Sequence, residues 1–384
     1  MTTPVILAHD STAIAPLVMI SRFAKIAFFL LILPVTLGIC GWQGWRWWSW
    51  ASAPVLAEPA ATAMESESPE PIEPVVQIQI PPGTPGQQIG DDLEQANLIR
   101  SATAWQLWTR WQSLTGKSGG FQAGTYALSP TQSLDEIAEQ IWTGSVLELG
   151  FTVPEGWNIE QMAAMFEAEG FFPAAEFVAA TRFIPGDRFP WLPANMPHLE
   201  GFLYPDTYQL PTEQLTPEGV VDVMLQRFED IALPLYQDQV PRPELTLLEW
   251  VSLASIVEKE SVVADERHRI AGVFTKRLDI GMRLESDPTV EYGLGIRQTK
   301  EQPLTFAQVG TPSPYNTYMN QGIPPTAIAS PGLASLEATL NPEDTDYLFF
   351  VARYDGTHVF SRTLDEHLAA QDTIRDRVEA EANQ

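Results

Sequence analysis

Apolar residues recur at helical spacing through residues 246–261, TLLEWVSLASIVEKES, until the stretch ends in charged residues. Thr246 followed by Glu249 fits a capping box, in which the two side chains satisfy backbone N–H groups at the start of a helix. Two lines of apolar positions run along this helix: Leu247, Val251 and Ala254, and Leu253, Ile256 and Val257. The apolar surface is wide, which predicts a helix in the interior of a domain.

Two carboxylates, Glu258 and Glu260, stand at the end of this helix, where further apolar residues are expected. Residues two apart point about 200° apart on a helix of 3.6 residues per turn, so both cannot face one substrate bond. One interpretation is that the helix reaches solvent here and Glu-Lys-Glu is its hydrated tip. The alternative is that one carboxylate is catalytic and the other supports it.

The N-terminal region contains an uncharged run from Ile26 to Trp45, flanked by Arg22, Lys25 and Arg46. At 1.5 Å per residue it spans about 30 Å, the thickness of the hydrocarbon core of a bilayer. An aromatic belt follows at its far end: Trp42, Trp45, Trp47, Trp48 and Trp50. We expect a single-pass anchor at residues 23–46.

The orientation of this anchor follows from the basic residues, two before the span and one after it, which places residues 1–22 in the cytoplasm. A cleaved signal peptide is the competing interpretation, because residues 51–53, Ala-Ser-Ala, resemble a cleavage site; Pro54 after them would hinder cleavage. Residues 47–74 are rich in Ala, Pro, Glu and Ser, and from residue 51 they hold no basic residue. This composition predicts a disordered acidic linker.

Residues 75–147 predict a small α/β module with two strands and three helices. The predicted elements are a strand at 75–80, helices at 86–98 and 102–114, a strand at 120–128 and a helix at 133–143. This order is similar to that of a LysM-like unit, a class that binds amino-sugar polymers. The alternative is a structural domain without a ligand.

Residues 148–376 predict a larger mixed α+β domain, followed by a tail at 377–384. Predicted strands cover 146–153 and part of 199–211, and helices cover 159–169, 217–231, 246–261, 265–280 and 333–340. Loops are expected at 286–289, 311–318 and 322–332. A hairpin at 347–361 turns at Asp355-Gly356, and a terminal helix follows. The predicted class is therefore α+β.

The charge balance excludes some partners. The formal charge is −27, from 49 acidic and 22 basic residues, which argues against nucleic acid or an anionic lipid surface as the main partner. Cys40 is the only cysteine, so no intramolecular disulfide can form. The five histidines show no zinc-ligand spacing, and we predict neither a metal nor another cofactor.

Several segments together resemble the MltG (YceG-like) family of endolytic murein transglycosylases. The segments are 123–126 AGTY, 200–208 EGFLYPDTY, 254–261 ASIVEKES, 281–290 GMRLESDPTV, 315–318 YNTY, 322–325 GIPP and 328–332 IASPG. The resemblance implies a plasma-membrane enzyme with an extracytoplasmic, periplasmic catalytic part. It also implies endolytic cleavage of nascent peptidoglycan glycan strands, which terminates their elongation, and it makes peptidoglycan synthases candidate partners.

The resemblance assigns the catalytic role to the second glutamate of Glu-Lys-Glu, which is Glu260. In lytic transglycosylation the muramic acid 6-hydroxyl attacks its own C1 and leaves a 1,6-anhydro end. A single carboxyl group can therefore serve as acid and then base, without the second carboxylate of a retaining glycosidase. A wall of Leu253, Ile256 and Val257 could raise the pKa of Glu260 by desolvation.

Supporting residues are predicted around this acid. We expect Glu258 to face inward or toward a basic partner such as Arg277 or Arg283. Candidates for lining the substrate cleft are Asp287, Tyr315, Asn316, Thr317 and Tyr318. Amide and hydroxyl groups suit acetamido sugars and Tyr rings suit sugar faces; the alternative for each is a loop-stabilising contact. An ordinary muramidase and a cell-wall-binding scaffold are the rival functions.

Overall fold

The computed structural model describes residues 28–56, 74–115, 119–241, 244–299 and 302–382. The chain divides into two compact units, Met1–Leu147 (unit 1) and Glu148–Gln384 (unit 2). Within the described ranges, the chain forms helices and three antiparallel sheets of two strands each. The α+β class predicted from the sequence is confirmed.

The described part of unit 1 begins with a long apolar helix. A π-helical turn, Phe28–Ile32, leads into helix α1 (Leu33–Ala51). The combined helix is long and apolar enough to cross a membrane, and its apolar window is not buried by the protein. Helix α1 continues to Ala51, past the expected end of the anchor at residue 46. Residues 1–27 and 57–73 lie outside the described residues, so the predicted tail and most of the predicted linker have no structural description.

The remainder of unit 1 contains the strands and helices expected from the sequence, some with shorter bounds. They are β1 (Val76–Ile80), α2 (Gly86–Gln95), α3 (Ala102–Thr115), β2 (Gly124–Leu128) and α4 (Leu134–Thr143). Strand β1 pairs with β2 so that Val76 lies opposite Leu128. A Cβ at Gly90 would stand 2.5 Å from the Trp105 ring, so α2 can approach α3 this closely only with glycine there. The LysM-like assignment of this unit stays a prediction.

Unit 2 begins with a two-stranded sheet and three helices around an aromatic core. These elements are β3 (Glu148–Thr152), α5 (Ile159–Ala168), α6 (Ala174–Ala180), β4 (Thr207–Pro211) and α7 (Pro217–Gln237). Strands β3 and β4 pair antiparallel. Phe166, Phe177, Phe202, Phe228 and Trp250 are fully buried within this core. Burial of rings of this size accounts for much of the stability that holds the unit together.

The second half of unit 2 contains the helix identified first in the sequence, α8, and the elements that follow it. The elements are α8 (Leu247–Glu260), α9 (Arg267–Asp279), α10 (Asp287–Leu294), α11 (Phe306–Val309), α12 (Leu333–Leu340), β5 (Phe349–Ala352), β6 (His358–Ser361) and α13 (Leu364–Ala382). Every residue of α8 from Trp250 to Val257 is buried. Helices α9, α10 and α12 pack against it. Short 3₁₀ turns lie at Thr212–Gln214 and Ala264–Glu266.

Two parts of this half differ from the sequence prediction. Helix α10 occupies residues expected to form a loop at 286–289; Pro288 lies in its first turn, where proline fits a helix because no N–H partner is needed. Helix α13 continues to Ala382, through most of the expected tail. The hairpin is confirmed: β5 and β6 pair antiparallel, and Gly356 in the connection has a φ of 90°, which favours glycine.

Candidate functional site

The start of α8 is fixed by the capping box that the sequence predicts. The Glu249 N–H donates to Thr246 Oγ1 at 3.3 Å, and the Thr246 N–H donates to Glu249 Oε2 at 2.8 Å. At the other end, the Ser261 N–H donates to the Val257 carbonyl at 3.0 Å, after which the backbone becomes extended. The helix thus holds Glu260 at its last position, on a rigid buried element.

Glu260 is partly buried and forms a hydrogen bond with a serine from another segment. The Ser286 hydroxyl donates to Glu260 Oε1 at 2.7 Å. The pKa of Glu260 is raised to about 7, mainly by burial. The Ser286 hydrogen bond and the Arg277 charge oppose this rise, and the nearby carboxylates of Asp287 and Glu291 add to it. At neutral pH the group is therefore available both with and without its proton.

The three residues expected to form an apolar wall beside Glu260 lie one to two helical turns before it and share one hydrophobic cluster. Leu253, Ile256 and Val257 are fully buried in one hydrophobic cluster with Leu284 and Ile328. Such surroundings disfavour an ionised carboxylate because they replace water with groups that cannot solvate charge. Desolvation is accordingly the main cause of the raised pKa.

Ser286, which sequence reasoning missed, is held in place by two threonines. Its backbone N–H donates to Thr317 Oγ1 at 2.9 Å. The Thr317 and Thr289 hydroxyls lie 2.8 Å apart and share a further hydrogen bond. Thr317 is buried, so it fits the loop-stabilising alternative and orients Ser286 rather than facing solvent. The position of Ser286 directly before Asp287-Pro288 was the one sequence feature that could have indicated a role for its hydroxyl.

Arg277 fixes the backbone that leads to Ser286. Its guanidinium is buried and donates to the carbonyls of Arg283 and Leu284, at 3.0 and 2.9 Å, and to that of Leu348 at 2.6 Å. It also lies 5.1 Å from the centre of the Phe349 ring. Burial lowers the pKa of Arg277, but an arginine stays charged in proteins, so it supplies a fixed positive charge near the site.

Asp287 and Tyr318, two of the predicted lining residues, contact each other. The Tyr318 hydroxyl donates to Asp287 Oδ1 at 2.7 Å, and Gln298 Nε2 donates to Oδ2 at 3.3 Å. Burial, followed by the Asp287 charge, raises the pKa of Tyr318, so its hydroxyl stays protonated. Both residues are partly exposed beside Glu260, whose pKa the Asp287 charge raises.

Asn316 and Tyr315 make contacts away from Glu260. Asn316 is fully buried, and its side-chain amide donates to the carbonyls of Val309 and Thr311, both at 2.8 Å. The Tyr315 hydroxyl lies 2.9 Å from Thr326 Oγ1. Asn316 therefore fits the loop-stabilising alternative, and Tyr315 joins a second polar network.

That second network centres on Glu200, a buried carboxyl that sequence reasoning quoted only within a motif. Its oxygens accept the Ile159 N–H at 3.1 and 3.2 Å and the Tyr292 hydroxyl at 3.0 Å. Burial raises the pKa of Glu200 to about 8, despite these hydrogen bonds. The Tyr292 ring packs edge-on against Tyr315, 4.8 Å between centres. Glu200 thereby links α5 to α10, the helix that carries Asp287.

Glu258 points to a different element from Glu260, as the helical geometry predicts. Its Oε2 accepts the Gly332 N–H at 3.1 Å and the Ser335 hydroxyl at 2.6 Å, at the start of α12. Of the two expectations for Glu258, these contacts fit the inward-facing one, and the basic partner, Arg277 or Arg283, is wrong. The N–H groups of a helix start suit a carboxylate by geometry and by dipole, which explains this choice of partner.

Two cavities in unit 2 lie elsewhere on the surface. One of about 470 Å³ is lined by α6 and α7, and one of about 340 Å³ by β4 and α7; neither includes Glu260. Among the described residues, no group of three or more His, Cys, Asp or Glu side chains could hold a metal ion. Glu260 and its contacts therefore lie outside both of these cavities.

Comparisons with known proteins agree on one family. Residues 78–373 match the sequence model of the YceG-like family. An endolytic murein transglycosylase of Bacillus subtilis is 32% identical over 310 residues, covering 77% of this chain and 84% of that protein. One of Streptococcus pneumoniae is 30% identical over 322 residues, and the chain spans 57% of its length.

A solved structure extends this similarity to the fold. The crystal structure of a YceG-like protein from Listeria monocytogenes has a TM-score of 0.53 and 30% sequence identity, covering 78% of this chain and 99% of that one. The family match covers most of the chain and includes Glu260, Ser286 and Asp287. The chain therefore belongs to the YceG-like family.

Proposed function

We propose that this protein is a peptidoglycan lytic transglycosylase, a lyase that cuts within glycan strands, and that Glu260 is its single catalytic acid and base. The relatives from Bacillus subtilis and Streptococcus pneumoniae are named endolytic murein transglycosylases. The observation that carries the proposal is the Glu260 carboxyl, whose pKa is raised to about 7 at the end of a buried helix. A general acid is most effective when its pKa lies near the working pH.

The proposed reaction needs one proton-transfer group. Protonated Glu260 donates its proton to the oxygen that joins C1 of N-acetylmuramic acid to N-acetylglucosamine, and that C1–O bond breaks. The muramic acid 6-hydroxyl attacks C1, and the Glu260 carboxylate takes the proton from this hydroxyl. A 1,6-anhydro end forms, no water is consumed, and Glu260 is protonated again.

The neighbours of Glu260 have distinct parts in this proposal. Ser286 holds the carboxyl through its 2.7 Å hydrogen bond and keeps one oxygen in a fixed direction. Asp287 keeps the proton on Glu260 by its negative charge. Tyr318 and Asp287 are partly exposed and provide a ring and a carboxylate to contact the sugars. Thr317, Asn316 and Glu258 support the site from behind it.

The location follows from helix α1. We propose that it anchors the protein in the plasma membrane with the N-terminus in the cytoplasm and both units outside. Its length and apolar surface support this assignment. Nascent glycan strands are made at the same outer surface, so peptidoglycan synthases are candidate partners. Binding of glycan by unit 1 is part of the same proposal.

Digestion of purified glycan strands by the full chain in detergent micelles tests the function. We expect fragments from within the strands, each ending in 1,6-anhydro-N-acetylmuramic acid, identified by mass. Products heavier by one water, with reducing ends, would instead identify a muramidase. Binding of strands without release of fragments would identify a scaffold.

A further inference from the structure

The end of the anchor helix is part of the core of unit 1. Ala51, the last residue of α1, is fully buried in the same hydrophobic cluster as Leu93, Trp105 and Ile137. Trp48, one turn earlier, packs against that cluster. The sequence predicts that a disordered linker begins at residue 47, and it therefore does not predict this contact.

The residues directly after α1 are hydrogen-bonded to the same unit. The Leu134 N–H donates to the Ser52 carbonyl at 3.0 Å, and the Leu56 N–H donates to the Pro130 carbonyl at 2.9 Å. Arg100 Nε donates to the Pro54 carbonyl at 2.9 Å. These bonds, made every second residue, hold residues 52–56 along the surface of unit 1.

The residues that flank the acidic segment 57–73 on its two sides both contact the end of strand β2 and the turn after it. Leu56 is bonded to Pro130, and Val76 pairs with Leu128, only two residues away in sequence. A chain the length of the segment could extend to about 60 Å. Because α1 contacts the strands and helices of unit 1 before residue 57, the length of the acidic segment does not set the distance between the anchor and those elements.

The same contact places unit 1 close to the bilayer. About 20 helical residues span the hydrocarbon core, so a span that starts at Phe28 leaves the core near Trp47, roughly 6 Å before Ala51. Trp45 and Trp50 are 66% and 50% exposed, which suits tryptophans at the headgroup level. The Arg100 guanidinium lies 5.9 Å from the centre of the Trp50 ring, so the start of α3 is at this level too.

We propose that strands β1 and β2 and helices α2–α4 of unit 1 are seated on the outer headgroup layer of the bilayer by direct contact with the end of α1, so that no tether sets their distance from the anchor. The partner surface is the lipid headgroup layer. Seating of this kind requires α1 to span the bilayer, as proposed above. The composition of residues 47–74 predicts a linker that lets the folded part reach away from the membrane, whereas residues 51–56 contact the β1–α4 part of unit 1 directly.

Energy transfer between unit 1 and labelled lipid headgroups tests the proposal on the full chain in vesicles. A donor is attached at Thr103→Cys, exposed in the first turn of α3, in a Cys40→Ala background. A second version carries a 40-residue insertion of Gly, Ser and Glu after residue 65. We expect the same transfer efficiency with and without the insertion, because α1 holds the unit directly. A clear fall on insertion would overturn the proposal.

A variant with a broken contact provides the matched control. Ala51→Glu combined with Arg100→Ala places a charge in the buried position and removes the bond to Pro54. Once the buried charge displaces α1 from the cluster, the distance between them depends on the length of the connecting chain, and the r.m.s. span of a flexible chain rises from about 23 Å to about 42 Å on insertion. Transfer should then fall. Insensitivity of this variant as well would overturn the proposal, because another contact would be holding the unit.

Flotation of the vesicles separates this inference from the function. Protein that fails to float with them would refute the anchoring role of α1, and with it the seating of unit 1. Loss of strand cleavage in the digestion described above, with unchanged energy transfer, would refute the proposed enzyme and leave the seating intact.

Discussion

Replacing Glu260 with glutamine removes the ionisable group but keeps an oxygen that can accept the Ser286 O–H. The pKa of Glu260 rises from 4.5 to about 7 on folding. At about 1.4 kcal/mol per pKa unit, the folded protein disfavours the ionised form by about 3 kcal/mol. The partial exposure of the group reduces the expected effect to about 1–3 kcal/mol.

The sign of the pH dependence follows from the direction of this shift. Since the folded pKa exceeds the unfolded one, the folded state binds more protons between about pH 4.5 and 7. The stability contributed by the protonated group is complete below pH 4.5 and is lost as pH rises through 7. The glutamine variant lacks this loss. The free energy of unfolding of the variant minus that of the natural protein should therefore be larger at pH 8 than at pH 4.

Urea titrations of both proteins at pH 4, 6 and 8 measure this difference, and strand cleavage is measured beside them. Glu200 also has a raised pKa, but it is present in both proteins and its contribution cancels in the comparison. Cleavage by the variant should fall by about 10²–10⁴-fold, the usual contribution of general acid–base catalysis. A stability difference that is constant with pH, or full cleavage by the variant, would refute the role assigned to Glu260.

Four further substitutions give distinct outcomes. Ser286→Ala removes a hydrogen bond that lowers the pKa of Glu260, so the alkaline limb of the kcat/KM profile should move to higher pH. Asp287→Asn removes a charge that raises this pKa, so the same limb should move to lower pH; shifts in one direction for both variants would contradict the assignment. Glu258→Gln weakens the contacts to Gly332 and Ser335, and urea titrations should show a loss of about 1–3 kcal/mol of stability. This loss should be at least as large as the rise in the activation free energy of strand cleavage. Glu200→Gln removes a carboxyl whose pKa is about 8, so melting temperatures compared at pH 5 and 9 should depend less on pH than those of the natural protein; an unchanged dependence would contradict this.

Local patterns in the sequence were sufficient for the central helix. The capping box at Thr246 and Glu249 and the apolar lines of α8 are decided by residues within one or two turns. The divergence of Glu258 and Glu260 follows from helical geometry alone, and the two carboxyls do contact different elements. Properties that depend on nearby residues of one helix are therefore readable from the sequence.

Contacts between distant segments were not readable in this way. Glu258 was expected to face inward or toward an arginine, and no local pattern indicated its actual partners, which come from the start of α12, more than 70 residues later. Glu200 lies in a segment without periodicity, so nothing in its neighbourhood shows that it is buried. Helix α10 is short, and Asp and Pro, with which it starts, are also typical turn residues.

The junction between α1 and unit 1 shows a further limit. Composition predicts that residues 47–74 form a linker, because they are rich in Ala, Pro, Glu and Ser. Burial of Ala51 depends on a cavity built by residues from 80 to 141, which no local pattern of residues 47–56 reveals. Composition describes the average tendency of a segment and gives little information about its first few residues.

Direct titration of the Glu260 carboxyl tests most closely whether one acid, kept protonated near neutral pH, carries the reaction. Infrared difference spectra of the natural protein and the Glu260→Gln variant, recorded from pH 4 to 10, isolate its carboxylic acid band, while the band of Glu200 is common to both. A midpoint near pH 7 is predicted. A midpoint near 4.5, the value of an ordinary exposed glutamate, would contradict the assignment of Glu260 as the acid.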